Sequence, residues 1–175
     1  KQLVLSGMGD IHVDVLVSKL KNRYGVSVDM SEPKIAYRES IRRRIDAEGK
    51  HKKQSGGHGQ YGHVKIHFAP SDEPGLHFTE SVVGGAVPKN FFPAVEKGLQ
   101  DSMQKGVLAG FPMMGLSADL YDGSYHDVDS SEMSFKVAAG LAYKELVNAD
   151  PGLLEPVGEL RVEVPGDDVG DVMSD

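Results

Sequence analysis

The sequence predicts an α+β fold on the basis of two kinds of periodicity and its length. Residues 64–68 and 77–83 alternate between polar and apolar side chains, as half-buried strands do. Residues 91–103 and 131–147 instead repeat their apolar side chains every three or four positions, as amphipathic helices do. A chain of 175 residues is long enough for one or two domains with cores of their own.

The first 37 residues predict a strand, a helix and a second strand. The strands are expected at residues 2–5 and 26–30, and the helix is expected to begin at an Asp10 N-cap and to end at Gly25. A strand–helix–strand unit of about 30 residues is too small to bury a sheet by itself. We therefore interpret residues 1–37 as half of a small α+β domain.

A basic region follows, although the whole chain has a net charge of -7. Residues 37–45 predict one strand, and the loop after it continues the run of positive charge. The candidate phosphate contacts are Arg42, Arg43, Arg44, Lys50, Lys52 and Lys53. The alternative interpretation is a solvated strand edge, where lysine and arginine are common.

A glycine-rich segment at residues 54–62 is the first candidate site. Gly57, Gly59 and Gly62 match the dinucleotide-binding fingerprint as a string, but that site requires a helix directly afterwards, and a strand pattern follows instead. We expect a turned loop that presents His58, Gln60 and Tyr61 to nucleic acid.

The second candidate site lies between a strand at residues 115–121 and the helix at 131–147. Asp122-Gly123 predicts a turn, and Asp129 with Glu132 predicts a capping box at the helix start. The loop between them presents Tyr125, His126 and Asp127, and loops anchored at both ends commonly carry function.

Two other kinds of chemistry are conceivable at this second loop. Ser124, His126 and Asp127 include the residue types of a nucleophilic triad, but neighbours on one turn do not by that fact form its relay. Acidic residues around His126 could hold a metal, yet no His or Cys spacing typical of zinc supports one. We therefore predict no catalytic residue and no metal site.

The rest of the chain predicts packing elements. Pro88 opens a helix whose Phe91, Val95, Leu99 and Met103 face the core. The helix at 131–147 is expected to bury Met133, Val137, Leu141 and Phe135. A last strand is predicted at residues 153–164, and a helix is predicted to begin at 168.

Some function classes have no support in the sequence. No apolar run reaches the 18 or so residues of a membrane span, and no signal-peptide pattern opens the chain. The chain has no cysteine, which is compatible with a reducing compartment. It also contains no Walker sequence for binding a nucleoside triphosphate.

Five segments resemble bacterial elongation factor G, in that family's order and across nearly the whole chain: residues 6–14, 56–64, 83–89, 106–110 and 122–133. The resemblance implies that residues 1–37 are the latter half of a ferredoxin-like third domain. Residues 38–158 would be the fourth domain, akin to the second domain of ribosomal small-subunit protein five. Residues 159–175 would begin a ferredoxin-like fifth domain, and the chain would be a fragment of a longer protein.

The resemblance also implies a function and its residues. The fourth domain is an arm whose tip enters the decoding site of the small ribosomal subunit, where it promotes movement of transfer RNA and messenger RNA and prevents back-slippage. The implied contacts at the tip are Gly57, His58, Gly59, Gln60, Tyr61, Ser124, Tyr125, His126 and Asp127. We expect a cytoplasmic monomer without a membrane partner and without a cofactor of its own, while GTP and magnesium would bind the GTPase domain of the parent protein.

His58 departs from the family, which usually has arginine at that position. Elongation-factor-G-like paralogues can have histidine there, so recycling, rescue or ribosome protection is the alternative function. Ribosome-protection proteins that confer tetracycline resistance tend to diverge in both tip loops. The segments Gly59-Gln-Tyr-Gly62 and Ser124-Tyr-His-Asp127 argue against that last class.

Overall fold

The computed structural model of the chain describes residues 3–54, 57, 59–159 and 161–174. The chain forms two compact units, Lys1–Ala36 and Tyr37–Asp175. Its α-helices are α1 (Asp10–Tyr24), α2 (Phe92–Ser102), α3 (Glu132–Lys144) and α4 (Val169–Ser174). Its strands are β1 (Arg38–Ile41), β2 (Ile45–Lys53), β3 (Gln60–Pro70), β4 (Gly75–Glu80), β5 (Gly115–Ser124) and β6 (Pro151–Leu154).

The described part of the first unit contains the predicted helix but neither predicted strand. Helix α1 begins after Gly9, so Asp10 is its first residue rather than its cap, and it ends at Gly25 in the left-handed conformation with φ 68°. Residues 3–5 and 26–30 do not form strands, and residue 2 lies outside the described residues. The strand predictions were wrong because an apolar or alternating pattern describes side chains only, whereas a strand also needs a neighbour for its backbone hydrogen bonds.

The second unit is built on a four-stranded sheet with strand order β2-β3-β5-β4. Strand β3 runs antiparallel to both of its neighbours, β2 and β5, and β4 runs parallel to β5. Helices α2 and α3 pack together, and α3 lies against β2 and β3. Val64, Ile66 and Leu120 of the sheet are buried together with Leu99 and Phe135 of the helices. This core holds the sheet as a rigid support.

The single strand predicted at 37–45 is in fact two strands in two sheets. Strand β1 pairs with β6, and β2 belongs to the larger sheet. Between them the backbone N–H groups of Arg42 and Arg43 donate to the carbonyl of Ala149 at 3.1 and 3.0 Å. These bonds turn the chain from one sheet to the other, which no local pattern could predict. The bend therefore carries the three arginines.

Strand β2 also corrects the predicted basic region, because Lys50, Lys52 and Lys53 lie on this strand rather than in a loop. A nine-residue strand is about 26 Å long at roughly 3.3 Å per step. Arg42, Arg43 and Arg44 precede one end of β2, and the lysines occupy the opposite half. The single basic region is therefore two separate groups.

The core face of α2 is confirmed, whereas that of α3 is confirmed only at Phe135. Val95, Leu99 and Met103 are buried as predicted, and Phe91 stacks on Phe135 with ring centroids 4.6 Å apart. In α3 the predicted Met133 and Val137 are exposed, and Leu141 is only half-buried. The buried face consists of the predicted Phe135 together with Ser134, Ala138, Ala139, Ala142 and Tyr143.

Close packing explains the unexpected face of α3. A Cβ atom on Gly49 of β2 would lie 1.9 Å from the carbonyl oxygen of Ala138, and one on Gly62 of β3 would lie 2.5 Å from that of Ser134. The helix therefore rests almost directly on the sheet backbone, where only small residues fit. The prediction of the buried face of α3 considered hydrophobicity alone and therefore selected larger apolar side chains.

The C-terminal predictions are correct in part. Strand β6 is shorter than the predicted strand at 153–164, because residues 155–159 and 161–164 are irregular; Leu160 lies outside the described residues. A short 3₁₀ helix at Gly166–Asp168 leads into α4, close to the predicted helix start. In the described part of the chain, no helix combines the length and the apolar character that crossing a membrane requires.

Candidate functional site

The two loops predicted as candidate sites meet at one end of the large sheet. The register pairs Lys53 with Gln60 and His63 with Ser124, so the end of β2, the start of β3 and the end of β5 lie side by side. We call residues 57, 59–61 and 124–130 the tip. His58 lies outside the described residues, and Gly57 has a φ of 127°, a conformation that favours glycine.

Asp129 ties the two loops of the tip together. Its carboxylate accepts a hydrogen bond from the backbone N–H of Gly59 at 2.9 Å, and its carbonyl accepts one from Tyr61 at 2.8 Å. The prediction that Asp129 caps α3 was therefore wrong. The cap is Ser131, whose hydroxyl accepts from the backbone N–H of Ser134 at 3.2 Å.

Ser130 makes a second connection between the loops. Its hydroxyl donates to the carbonyl of Tyr61 at 2.9 Å and accepts from the backbone N–H of His126 at 2.9 Å. The backbone N–H of Ser130 also donates to the carbonyl of His126 at 3.0 Å. Hydrogen bonds made by Ser130 thus hold the backbone of both tip loops.

His126 is exposed and stacks on a buried ring. The imidazole and the phenol of Tyr61 are 3.9 Å apart between centroids, with an angle of 22° between their planes. Tyr61 was expected to be presented by the first loop, but it lies on β3 and is only 7% exposed, because the histidine covers it. Beside His126, Tyr125 and Asp127 are exposed as predicted, and together they line an open depression. The tip therefore presents a stacked ring and polar groups to solvent.

Gly123 supports the tip in a way that the sequence did not indicate. The predicted turn at Asp122-Gly123 is absent, because β5 continues to Ser124 and Gly123 pairs with Val64. A Cβ atom on Gly123 would lie 2.3 Å from the carbonyl oxygen of His63, so glycine is needed here for the close approach of two strands. The extra strand length carries Ser124 alongside His63.

Asp122 and Lys65 form an ion pair across these strands, at 2.8 Å. The hydrogen bond from Lys65 lowers the pKa of the Asp122 carboxyl, aided by the backbone N–H of Gly123. The same hydrogen bond raises the pKa of the Lys65 ammonium group. Both groups are therefore charged at neutral pH.

Ser124 contacts residues other than those of the conceivable triad. Its hydroxyl lies 2.7 Å from the Nδ1 of His63 and 2.7 Å from the hydroxyl of Tyr61. The structure places the ring of His126 on Tyr61 and thus does not bring Ser124, His126 and Asp127 together as a relay. Within the described residues, no group of three potential ligands is arranged to hold a metal ion.

The remaining predicted residues divide between two places. Gln60 shares a hydrogen bond with the Nε2 of His51 at 2.9 Å, and the Nζ of Lys50 lies 6.0 Å from the centroid of the Tyr61 ring. Lys52 and Lys53 are exposed on β2 near the tip. Arg42, Arg43 and Arg44 lie beyond the opposite end of β2 and are not part of the tip.

Sequence reasoning missed His63, Glu48 and Ser130. His63 was not among the predicted site residues, but it is only 9% exposed, and its Nε2 lies 2.7 Å from a carboxylate oxygen of Glu48. The signal that could have found it is the register between β3 and β5, which places His63 opposite Ser124. That register is a property of the folded sheet.

The chain matches a known family over most of its length. Residues 33–149 match the family model of elongation factor G, domain IV, and residues 1–32 match that of elongation factor G, domain III. A solved protein from Thermus thermophilus is 43% identical to the chain, with a TM-score of 0.84. That match covers 96% of this chain and 25% of the solved one, so this chain spans about a quarter of that protein's length.

These matches confirm the predicted family and the α+β fold of its domain IV beside part of another domain. The limits predicted for the three domains, at residues 37 and 158, stay predictions. The matched families, with the close structural similarity, identify the chain as part of a translation factor. The chain belongs to the elongation factor G family.

Proposed function

We propose that the tip enters the decoding site of the small ribosomal subunit and promotes the movement of transfer RNA and messenger RNA. The observation that supports this most is the exposed His126 ring, held on Tyr61 at the end of a sheet. RNA with unstacked bases is commonly recognised by aromatic or histidine rings, and such a contact is worth about 1 to 3 kcal/mol per base. Stacking of this kind needs no proton transfer.

The mechanism follows from the rigidity of the tip. The bonds of Asp129 and Ser130 fix its loops before any partner arrives. A preformed tip can fill the decoding site as the RNAs leave it, and it can then block their return. The glycines at 57 and 59 allow RNA backbone to approach closely. The tip therefore acts as a wedge and as a stop.

The two basic groups contribute phosphate contacts at different places. Lys50, Lys52 and Lys53 bind phosphates next to the tip, and Arg42, Arg43 and Arg44 bind phosphates near the other end of β2. Among the ion pairs that the described residues form, none involves these six side chains, so their charge is available. Such contacts weaken as the salt concentration rises.

The activity of the parent protein is also a proposal, because this chain spans only about a quarter of the related protein from Thermus thermophilus. GTP, with magnesium, binds and is hydrolysed in a domain outside these 175 residues. That hydrolysis drives translocation, and the chain itself has no catalytic residue. The protein works as a cytoplasmic monomer on the ribosome.

The test is single-turnover translocation by the full-length parent protein on programmed ribosomes with GTP. We expect His126→Ala to slow codon advance about tenfold, the value of one lost stacking contact, and Gln60→Ala to slow it less. GTP hydrolysis should stay near normal, because both residues lie on the tip and not in the domain that hydrolyses GTP. His77→Ala is the matched control, since this histidine is half-exposed on β4, away from the tip. Equal loss of both activities in His126→Ala would refute the proposal.

The histidine at position 58 favours a second candidate function. Arginine usually stands there in the family, and the replacement removes a constant positive charge from the first tip loop. A paralogue acting in recycling, rescue or ribosome protection would hydrolyse GTP on ribosomes without advancing the codon. The discriminating measurement is then subunit splitting in the presence of recycling factor.

A further inference from the structure

A chain of polar contacts leads from the stacked rings of the tip into the sheet. The Tyr61 hydroxyl lies 2.7 Å from the Ser124 hydroxyl, which lies 2.7 Å from the Nδ1 of His63. The Nε2 of His63 lies 2.7 Å from a carboxylate oxygen of Glu48. Three strands thus contribute to one continuous series of contacts that ends on the partner ring of His126.

The Glu48 carboxylate favours one assignment of donors and acceptors in this series. Glu48 lies close to the Nε2 of His63 but off the line of an ideal hydrogen bond, so it acts mainly through its charge. An ionised carboxylate favours the tautomer whose proton is on that nitrogen. The Nδ1 of a neutral imidazole is then an acceptor, and the Ser124 hydroxyl donates to it. The Ser124 oxygen in turn accepts from the Tyr61 hydroxyl, so the direction of each bond follows from the carboxylate.

Because most of these side chains are buried, losing one of their hydrogen bonds is energetically costly. Tyr61 and His63 are 7% and 9% exposed, and Ser124 is half-buried. A buried hydroxyl or imidazole that loses its partner is left without water to replace it, so the structure strongly favours the bonded arrangement. The hydroxyl of Tyr61 is thereby bonded to Ser124, and the backbone N–H of Tyr61 is bonded to the carbonyl of Asp129, so the residue is held at both ends.

We propose that Ser124, His63 and Glu48 are positioning residues, which set the orientation of the Tyr61 ring and through it the ring of His126. The backbone of the tip is held separately, by Asp129 and Ser130. The series therefore controls ring orientation rather than loop closure. Its effect on translocation rests on the proposed function, but its effect on the rings does not.

The first experiment measures ring stacking in the 175-residue chain by nuclear magnetic resonance. Stacking on Tyr61 places the imidazole protons of His126 in the ring current of the phenol, so their resonances should be displaced from those of free histidine. Ser124→Ala should move them toward the free position, whereas Ser124→Thr retains a hydroxyl and should leave them displaced. Tyr61→Phe keeps the ring and removes only the hydroxyl, and it should resemble Ser124→Ala. Unchanged resonances in both Ser124→Ala and Tyr61→Phe would overturn the proposal.

The second experiment measures translocation by the full-length parent protein. We expect Ser124→Ala to slow it about fivefold, the equivalent of one neutral hydrogen bond, and Ser124→Thr to remain near the unmodified rate. In a His126→Ala background, Ser124→Ala should slow it no further, because both changes act through one ring. Independent, multiplying effects would overturn the positioning role. Shifted resonances combined with normal translocation by His126→Ala would instead refute the proposed function and leave the positioning of the rings standing.

Discussion

Substitution of Glu39 tests how much a buried carboxylate contributes to the stability of this fold. Its side chain is fully buried, and its carboxylate accepts backbone hydrogen bonds from Leu108 at 2.8 Å, Ala109 at 2.8 Å and Phe111 at 3.0 Å. A Cβ atom on Gly106 would lie 2.1 Å from one carboxylate oxygen, so the loop closes tightly around the charge. The carboxylate thus organises the connection between α2 and β5.

The substitution Glu39→Gln keeps the shape and removes the charge. The amide oxygen can still accept the two bonds now made by Oε1, but the amide nitrogen would face the N–H of Leu108 as a second donor. A hydrogen bond to a charged group contributes about 1.5 to 3 kcal/mol, and an unpaired buried donor costs a similar amount. We therefore expect the free energy of unfolding to fall by about 3 kcal/mol. Tm should fall by roughly 10 °C for a domain of this size.

The loss should depend on pH. Burial alone would raise the pKa of the Glu39 carboxyl, but the backbone N–H groups of residues 108–111 outweigh it, and the pKa lies below its ordinary value of 4.5. Because the folded-state pKa is the lower one, the stabilisation is complete above the unfolded value and is lost as the pH falls through the folded value. The difference between the two proteins should therefore be constant near neutrality and shrink in acid below pH 4.5.

The measurement is urea unfolding of both proteins, repeated from neutral pH downward. Glu155→Gln is the matched control, because Glu155 is exposed in an irregular segment and should leave stability nearly unchanged. Equal midpoints for Glu39→Gln and the unmodified chain would refute the account of the buried carboxylate. So would a difference that persists undiminished in acid.

Two further predictions test the packing of α3 and the connection between the tip loops. Gly49→Ala should lower the free energy of unfolding by about 1 to 3 kcal/mol, because its Cβ would lie 1.9 Å from the carbonyl oxygen of Ala138. The control in the same urea experiment is Gly158→Ala, whose Cβ would meet nothing within 4 Å. Equal unfolding midpoints for the two variants would contradict the packing. Asp129→Ala should speed hydrogen exchange of the Gly59 amide by on the order of tenfold, because that amide loses a charged acceptor. Asp129→Asn retains an acceptor oxygen and should exchange more slowly than Asp129→Ala, whereas three equal rates would contradict the connection.

Local patterns predicted the helices well and their details less well. The amphipathic spacing found α1, α2 and α3. The glycine-rich pattern marked the first tip loop, but the turn predicted at Asp122-Gly123 for the second is absent, because β5 continues to Ser124. The cap of α3 was misplaced by two residues because Asp129 and Ser131 are both good cap residues. Only the fold shows that Asp129 is occupied by Gly59 of the other loop.

The features that the sequence could not provide depend on pairing between distant segments. The bend at Arg42 and Arg43 exists because Ala149 accepts their backbone hydrogen bonds from more than a hundred positions away. His63 contacts Ser124 only through the register that places the two residues opposite each other. Such contacts leave no periodic trace in the chain, so a period-two pattern finds the strand but not its partner.

The arrangement of the tip explains why an exposed histidine can be held in one place without a bound partner. His126 is exposed, yet Tyr61 beneath it is buried, and the hydroxyl of that ring is bonded to Ser124. Ordering of the ring therefore accompanies folding rather than binding. A side chain that is already ordered loses less conformational freedom when it meets RNA, so more of the stacking energy remains available for the contact. A contact surface that needs no rearrangement would favour the proposed function in codon advance.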